Sequence, residues 1–214
     1  MAAIKFFYRH VLGQADFQLQ VPLQPTGRLP EPLSRNEVTR LISAATNPKH
    51  VALMMTAYGG GLRVGELVRL KPADIHSDRM LIRVNQGKGK KDRYTLLSPR
   101  LLRELRKYWL AYRPVNWLFT NRNNDGPLPV GTAQAAFEEL KKRAGITHGH
   151  GIHSLRHSFA THLMEAGVPL PTIQRLMGHT KLATTAKYLH VTSKHVEGIH
   201  SPLDLLRLPD QERS

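Results

Sequence analysis

The sequence contains no cysteine, which excludes disulfides and thiolate zinc sites. No run of apolar residues approaches the ~20 needed to cross a bilayer. The N-terminus is not a signal peptide, because Tyr8-Arg9-His10 cuts its apolar stretch short. Acidic residues are scarce: 16 Asp and Glu stand against 31 Lys and Arg, giving a formal charge of +15 and an isoelectric point near 10.5. Such a surplus points to a polyanionic partner, either nucleic acid or an acidic membrane surface. A ribosome-associated or merely soluble basic protein has the same composition. The simplest class is a cytoplasmic protein facing double-stranded DNA, with no membrane association.

A length of 214 residues with 41% hydrophobic side chains suffices for one domain with its own core, plus a short appendage. Residues 1–32 read as a short helix, Ile4 to Leu12, and a linker with Pro22, Pro25, Gly27, Pro30 and Pro32. The main domain opens at Ser34-Arg35-Asn36-Glu37, which has the form of a capping box, with Val38, Leu41 and Ile42 following at helical spacing. A second helix is expected over Pro48 to Tyr58, broken by Gly59-Gly60-Gly61, and a third over Leu62 to Leu70, stopped by Pro72. From Arg79 the period shortens to two. This predicts a strand through Met80, Ile82 and Val84, a turn at Gln86 to Asp92, and a returning strand from Arg93 to Leu97. Helices are expected at about 99–112, 131–144, 154–167, 169–177, 181–189 and 194–207. Trp117-Leu118-Phe119 reads as one more short strand, and Asn121 to Pro129 as a surface loop. The expected fold is mainly α with a small antiparallel β-sheet.

Four places carry chemistry. Gly61-Leu62-Arg63-Val64-Gly65-Glu66-Leu67 runs glycines into a helix, letting backbone and Arg63 approach a ligand; the plainer alternative is a helix-breaking turn with a solvated arginine. Lys88, with Lys90, Lys91 and Arg93, forms a basic hairpin that can lie on a DNA backbone or in a groove, and a lysine there can protonate a leaving oxygen. A charged, solvated turn guarding a sheet edge has the same pattern. In His153-Ser154-Leu155-Arg156-His157, a helix start would put His153 and Arg156 on one side. His153 and His157 have zinc-compatible spacing, but no Glu follows the first His and Arg156 would repel a cation, so no metal is expected. His157 and His162 are expected to be partly buried and structural. Last, Leu176-Met177-Gly178-His179 precedes Tyr188 on a further helix. A phenol titrates near ~10 and attacks only beside a base and strong cations.

Taken together and in this order, from about Leu33 to His190, these stretches resemble the tyrosine recombinase family of phage integrases and Xer-type resolvases. The resemblance implies the DNA breaking-rejoining catalytic fold. It implies that Arg63 and Arg156 hold the scissile phosphate, that Lys88 is the general acid for the 5′ oxygen, and that His153 assists proton transfer. His179 would hydrogen-bond the phosphate, Tyr188 would form a 3′-phosphotyrosyl link, and Glu66 would orient the site. Neither metal nor ATP is implied, and the implied partners are DNA and further copies of the chain, four around a four-way junction. Members usually carry a helical domain of roughly a hundred residues in front. Residues 1–32 resemble its last helix and linker, 33–192 the catalytic domain, and 193–214 a terminal segment that docks on a neighbouring subunit or folds back on its own domain. Two rival readings are an idle DNA-binding remnant and a histidine-dependent metal nuclease. Relaxation without exchange, as in type IB topoisomerases, would use the same chemistry.

Overall fold

Ser34 starts the first helix among the described residues by the reciprocal cap its sequence announces. Its hydroxyl accepts from the Glu37 amide at 3.3 Å, and the Glu37 carboxylate accepts from the Ser34 amide at 2.9 Å. The computed structural model describes residues 32–85, 92–178 and 201–206. The expected helices at 4–12 and 181–189 lie outside these residues. Helix α1 (Arg35–Ser43) buries Val38, Leu41 and Ile42, the positions its spacing selects. Just ahead of it, buried Leu33 donates its amide to Ser158 Oγ at 2.9 Å, tying the start of the domain to a helix over a hundred residues later.

Helix α2 (Pro48–Gly59) is the centre of the molecule. Asn47 caps it and Pro48 occupies its first turn, and from Val51 onward every residue is buried. A helix apolar on all sides must be enclosed. Around it pack α1, α4 (Pro99–Tyr112), α5 (Val130–Arg143) and α6 (His153–Glu165). Helix α7 (Leu170–Met177) packs on α6 and on the small sheet. The helices expected near 99–112, 131–144, 154–167 and 169–177 are thus present within a residue or two at most ends.

The third expected helix is shorter than Leu62 to Leu70: α3 covers only Val64–Leu67. Two bonds explain the shortening. The Leu62 amide closes the end of α2 on Ala57 O at 3.2 Å, behind Gly61 at φ +57°, so helix can restart only after Arg63. Downstream, the Leu70 carbonyl is taken by the Leu118 amide at 2.7 Å.

The sheet has three antiparallel strands rather than two, in the order β1 (Ile75–His76), β2 (Leu81–Val84), β3 (Arg93–Leu96). Leu81 pairs with Leu96, Val84 with Arg93 and Ile75 with Ile82. Strand β1 is too short to show a period. It exists because buried Asp74 caps the preceding turn and accepts from Arg83 and Asn85 on and after β2. Trp117-Leu118-Phe119 is not a strand; only Thr120 and Pro127 form a single bridge, while Phe119 packs against the Tyr108 ring. Met80 adopts a positive φ of 53° and belongs to the turn before β2.

Of the helix expected at 194–207, the described part is a single 3-10 turn, Pro202–Leu205. It folds back on its own domain. Leu203 and Leu206 are buried, Ser201 Oγ donates to Gly59 O at 3.2 Å, and Arg100 donates to Leu206 O at 2.9 Å.

Candidate active site

The turn between α2 and α3, the start of β3, the first turns of α6 and the last turn of α7 meet at one carboxylate. Glu66 caps α3 in reverse: its Oε2 accepts from the Arg63 amide at 2.9 Å and its Oε1 from Arg63 Nη1 at 2.8 Å. Arg93, the first residue of β3, grips the same carboxylate with both ends of its fork, at 2.8 and 2.7 Å. Arg156 Nη1 stands 3.7 Å from Glu66 Oε2. Three guanidinium charges against one carboxylate leave two positive charges in surplus.

The end of α7 completes the arrangement. The last carbonyls of a helix lack internal partners and carry the negative end of its dipole. Here Leu176 O accepts from Arg93 Nε at 2.9 Å, and Met177 O accepts from Arg156 Nη2 at 2.5 Å. Longer contacts of 3.4 Å run from Arg63 to Met177 O and Gly178 O. Gly178 ends the helix at φ +63°, one residue before His179 in the sequence. Arg156 also donates to Gly61 O at 2.7 Å. It is only 1% exposed, whereas the Arg63 side chain is 29% exposed and is the part of the cluster that meets solvent.

Burial alone would raise the Glu66 carboxyl, but the Arg93 fork and the Arg63 amide and guanidinium outweigh it and hold it at about 2. Burial pushes the Arg156 guanidinium down to about 9, with Arg63 and Arg93 adding to the fall and Glu66 opposing it; at neutral pH it is a cation. Because the Glu66 value lies below its usual 4.5, the stabilisation it brings is fully present above that pH and is lost as pH falls towards 2. The Glu66→Gln protein is therefore expected to be less stable than wild type by about 3 kcal/mol at pH 6. That gap should shrink steadily below pH 4.5, as read by urea denaturation at a series of pH values. A gap that does not change with pH would contradict the ion cluster.

Gly61 is the backbone device of the site. At φ +57° its carbonyl reaches Arg156, and a Cβ there would stand 2.3 Å from the Phe159 ring. Gly61→Ala is expected to cost about 2–4 kcal/mol through strain and overpacking together. Chemical denaturation measures this directly.

Of the residues picked from the sequence, Arg63, Glu66, Arg93 and Arg156 come together; Lys88, Lys90, Lys91, His179 and Tyr188 lie outside the described residues. His153 is exposed at the first position of α6, its ring edge-on to that of His157 at 4.6 Å, while Arg156 is buried. Arg93, grouped by charge with a DNA-facing hairpin tip, is instead turned inward. The strand period could have shown this, since Arg93 shares its face with buried Thr95 and Leu97. His157 is shifted downward by burial and by Arg156. His162 is buried and bonded to the Tyr58 hydroxyl at 2.8 Å, as a core residue. Among the described residues no group of three or more His, Asp or Glu is placed to hold a metal ion. None of their helices is long and apolar enough to cross a membrane. A cavity of about 910 Å³ beside Pro32, Glu37 and His148 shares no residue with the arginine cluster.

The profile of the phage integrase family matches residues 31–195. A Sinorhizobium fredii protein described as an integrase/recombinase, y4qK, is 44% identical over 98% of this chain and 68% of its own length. The tyrosine recombinase XerA of Pyrococcus furiosus is 38% identical, covering 91% of this chain and 69% of that protein. The crystal structure of XerA recombinase superposes with a TM-score of 0.67 at 30% identity, over 91% of this chain and 71% of that one. The XerH site-specific recombinase bound to its difH substrate, in a pre-cleavage complex, superposes at 0.65 and 28% identity over 79% of this chain and 53% of that one. The mainly helical fold with a small antiparallel sheet is therefore that of a recombinase catalytic domain, and the chain belongs to the phage integrase family, that of the tyrosine recombinases.

Proposed function

We propose that this chain cuts and rejoins DNA at specific sites through a 3′-phosphotyrosyl intermediate, using neither metal nor ATP. The observation that carries this is the cluster in which Arg63, Arg93 and Arg156 converge on Glu66 with a surplus of positive charge. A phosphodiester passing through a pentacovalent state gathers negative charge on its non-bridging oxygens, and preorganised guanidinium donors stabilise that charge. Arg156 donates to the Gly61 and Met177 carbonyls, which fixes the plane of its fork beside the more exposed Arg63. Tyr188 attacks phosphorus, and the 5′ oxygen leaves with a proton from Lys88. His153 assists removal of the phenolic proton, and His179 hydrogen-bonds a phosphate oxygen. The ester to Tyr188 conserves the energy of the broken bond, so a 5′ hydroxyl from another strand can reverse the step.

Exchange between two duplexes breaks four strands, and each break needs one nucleophile. The proposed working form is accordingly four chains around a four-way junction, in the cytoplasm. The test uses a pool of nicked duplexes of randomised sequence, mixed with the chain with and without EDTA. The expected result is a protein–DNA adduct that survives denaturation, persists in EDTA and yields a Tyr188 peptide bearing the nucleotide. Cleavage abolished by EDTA, with no adduct, would establish the metal-nuclease reading. Binding without any adduct would establish an idle remnant.

A further inference from the structure

The chemistry just proposed counts Arg93 in the charge of the cluster but gives it no contact with the reacting atoms, although it is the side chain most heavily bonded to Glu66. It follows directly after the hairpin bearing Lys88, Lys90 and Lys91, and on charge alone it belongs with them as a DNA contact. Its surroundings argue for another task. The side chain is 11% exposed, and all three of its guanidinium nitrogens are engaged: both terminal nitrogens by Glu66 and Nε by the Leu176 carbonyl. Gly178 lies so close that a Cβ there would come within 2.8 Å of Arg93 Cδ, so the last turn of α7 closes directly over it.

Consider what Glu66 would do without that fork. Its carboxylate would keep Arg63 and would sit 3.7 Å from Arg156 with two acceptor positions vacated. It would then compete with phosphate for the two guanidinium groups that the reaction uses. Neutralised and held by Arg93, it orients Arg63 instead.

We propose that Arg93 is a positioning residue for strand cleavage rather than a DNA contact. It occupies the acceptor positions with which Glu66 would otherwise bond Arg156 more closely, and it fastens β3 to the turn that precedes His179. This inference rests on the recombinase reading above, and its test separates the two.

Arg93→Gln and Arg93→Lys are compared with wild type in two measurements on the full chain. The first is affinity for a duplex of arbitrary sequence as a function of salt. A phosphate contact would weaken binding in Arg93→Gln and lower the slope of log K against log salt by about 0.9, whereas a positioning residue leaves both unchanged. The second is the rate of adduct formation on duplexes recovered from the randomised pool, at saturating protein. Here a fall of about 10²-fold is expected for both variants, because lysine keeps the charge but cannot form the fork. Arg93→Gln combined with Glu66→Gln should be no slower than Arg93→Gln alone, since the harm is done through Glu66. A lowered salt slope, or adduct formation at the wild-type rate in Arg93→Lys, overturns the proposal. Arg93→Lys retains a cation beside Glu66 and carries the test if Arg93→Gln does not fold. Were the wild-type chain to capture no DNA, the recombinase reading would fail, while the salt slope would still decide whether Arg93 touches the duplex.

Discussion

Tyr188→Phe is expected to abolish covalent capture of DNA while leaving duplex affinity unchanged. The substitution removes one oxygen and keeps the ring. Only the phenolate oxygen can form the phosphate ester, so the loss should reach roughly 10⁴- to 10⁶-fold, beyond the detection limit of a denaturing gel. Affinity should persist because it comes from cations on phosphate, and the chain keeps all of its 31 lysines and arginines. An ordinary phenol titrates near ~10 and is a poor nucleophile at neutral pH. In the proposed mechanism the surplus positive charge around Glu66 stabilises the phosphate during attack, so the tyrosine would be competent only in company with the cluster. An adduct formed by the Phe variant at the wild-type rate would remove Tyr188 from the mechanism.

Arg156 should produce the second large effect, and it should act on stability as well as on chemistry. Its guanidinium is almost fully buried and bridges Gly61 O to Met177 O, joining the α2–α3 turn to the end of α7. Arg156→Met leaves both carbonyls without that donor and Glu66 without one of its cations. The expected cost is about 3–5 kcal/mol, the usual penalty for breaking a buried charged network by removing one partner. Thermal melting should fall by roughly 10 °C. Arg156→Lys preserves the charge, but an ammonium cannot span both carbonyls as a planar fork does. It should recover part of the stability while adduct formation stays at least ~10²-fold below wild type. A lysine variant matching wild type in both measurements would show that charge alone suffices at this position.

Much of the fold was legible because local chemistry dictated it. The capping box at Ser34 and Glu37, the apolar run of α2 and the alternation of β2 each rest on residues within one turn or one strand. What failed had causes outside the local segment. Helix α3 is short because Leu62 belongs to the end of α2 and Leu70 is claimed by Leu118. Strand β1 has only two residues and owes its place to Asp74 holding Arg83 and Asn85. Trp117 to Phe119 has strand-like residues, yet Phe119 is used as a stacking partner for Tyr108.

In the functional site the division falls in the same place. Arg63 and Arg156 stand out in the sequence because phosphate chemistry without a metal calls for such cations, and Glu66 because of the family resemblance, whereas Tyr188 lies outside the described residues. Sequence alone also determined the strong positive charge and the absence of thiol chemistry. Only the tertiary structure decided which arginine meets solvent, which is buried, and that Arg93 faces Glu66. The reason is that an arginine's role depends on what lies opposite its fork. For Arg93 and Arg156 those partners are Glu66 and the carbonyls of Gly61, Leu176 and Met177, which lie tens of residues away along the chain and meet only when α6 and α7 close on the α2–α3 turn.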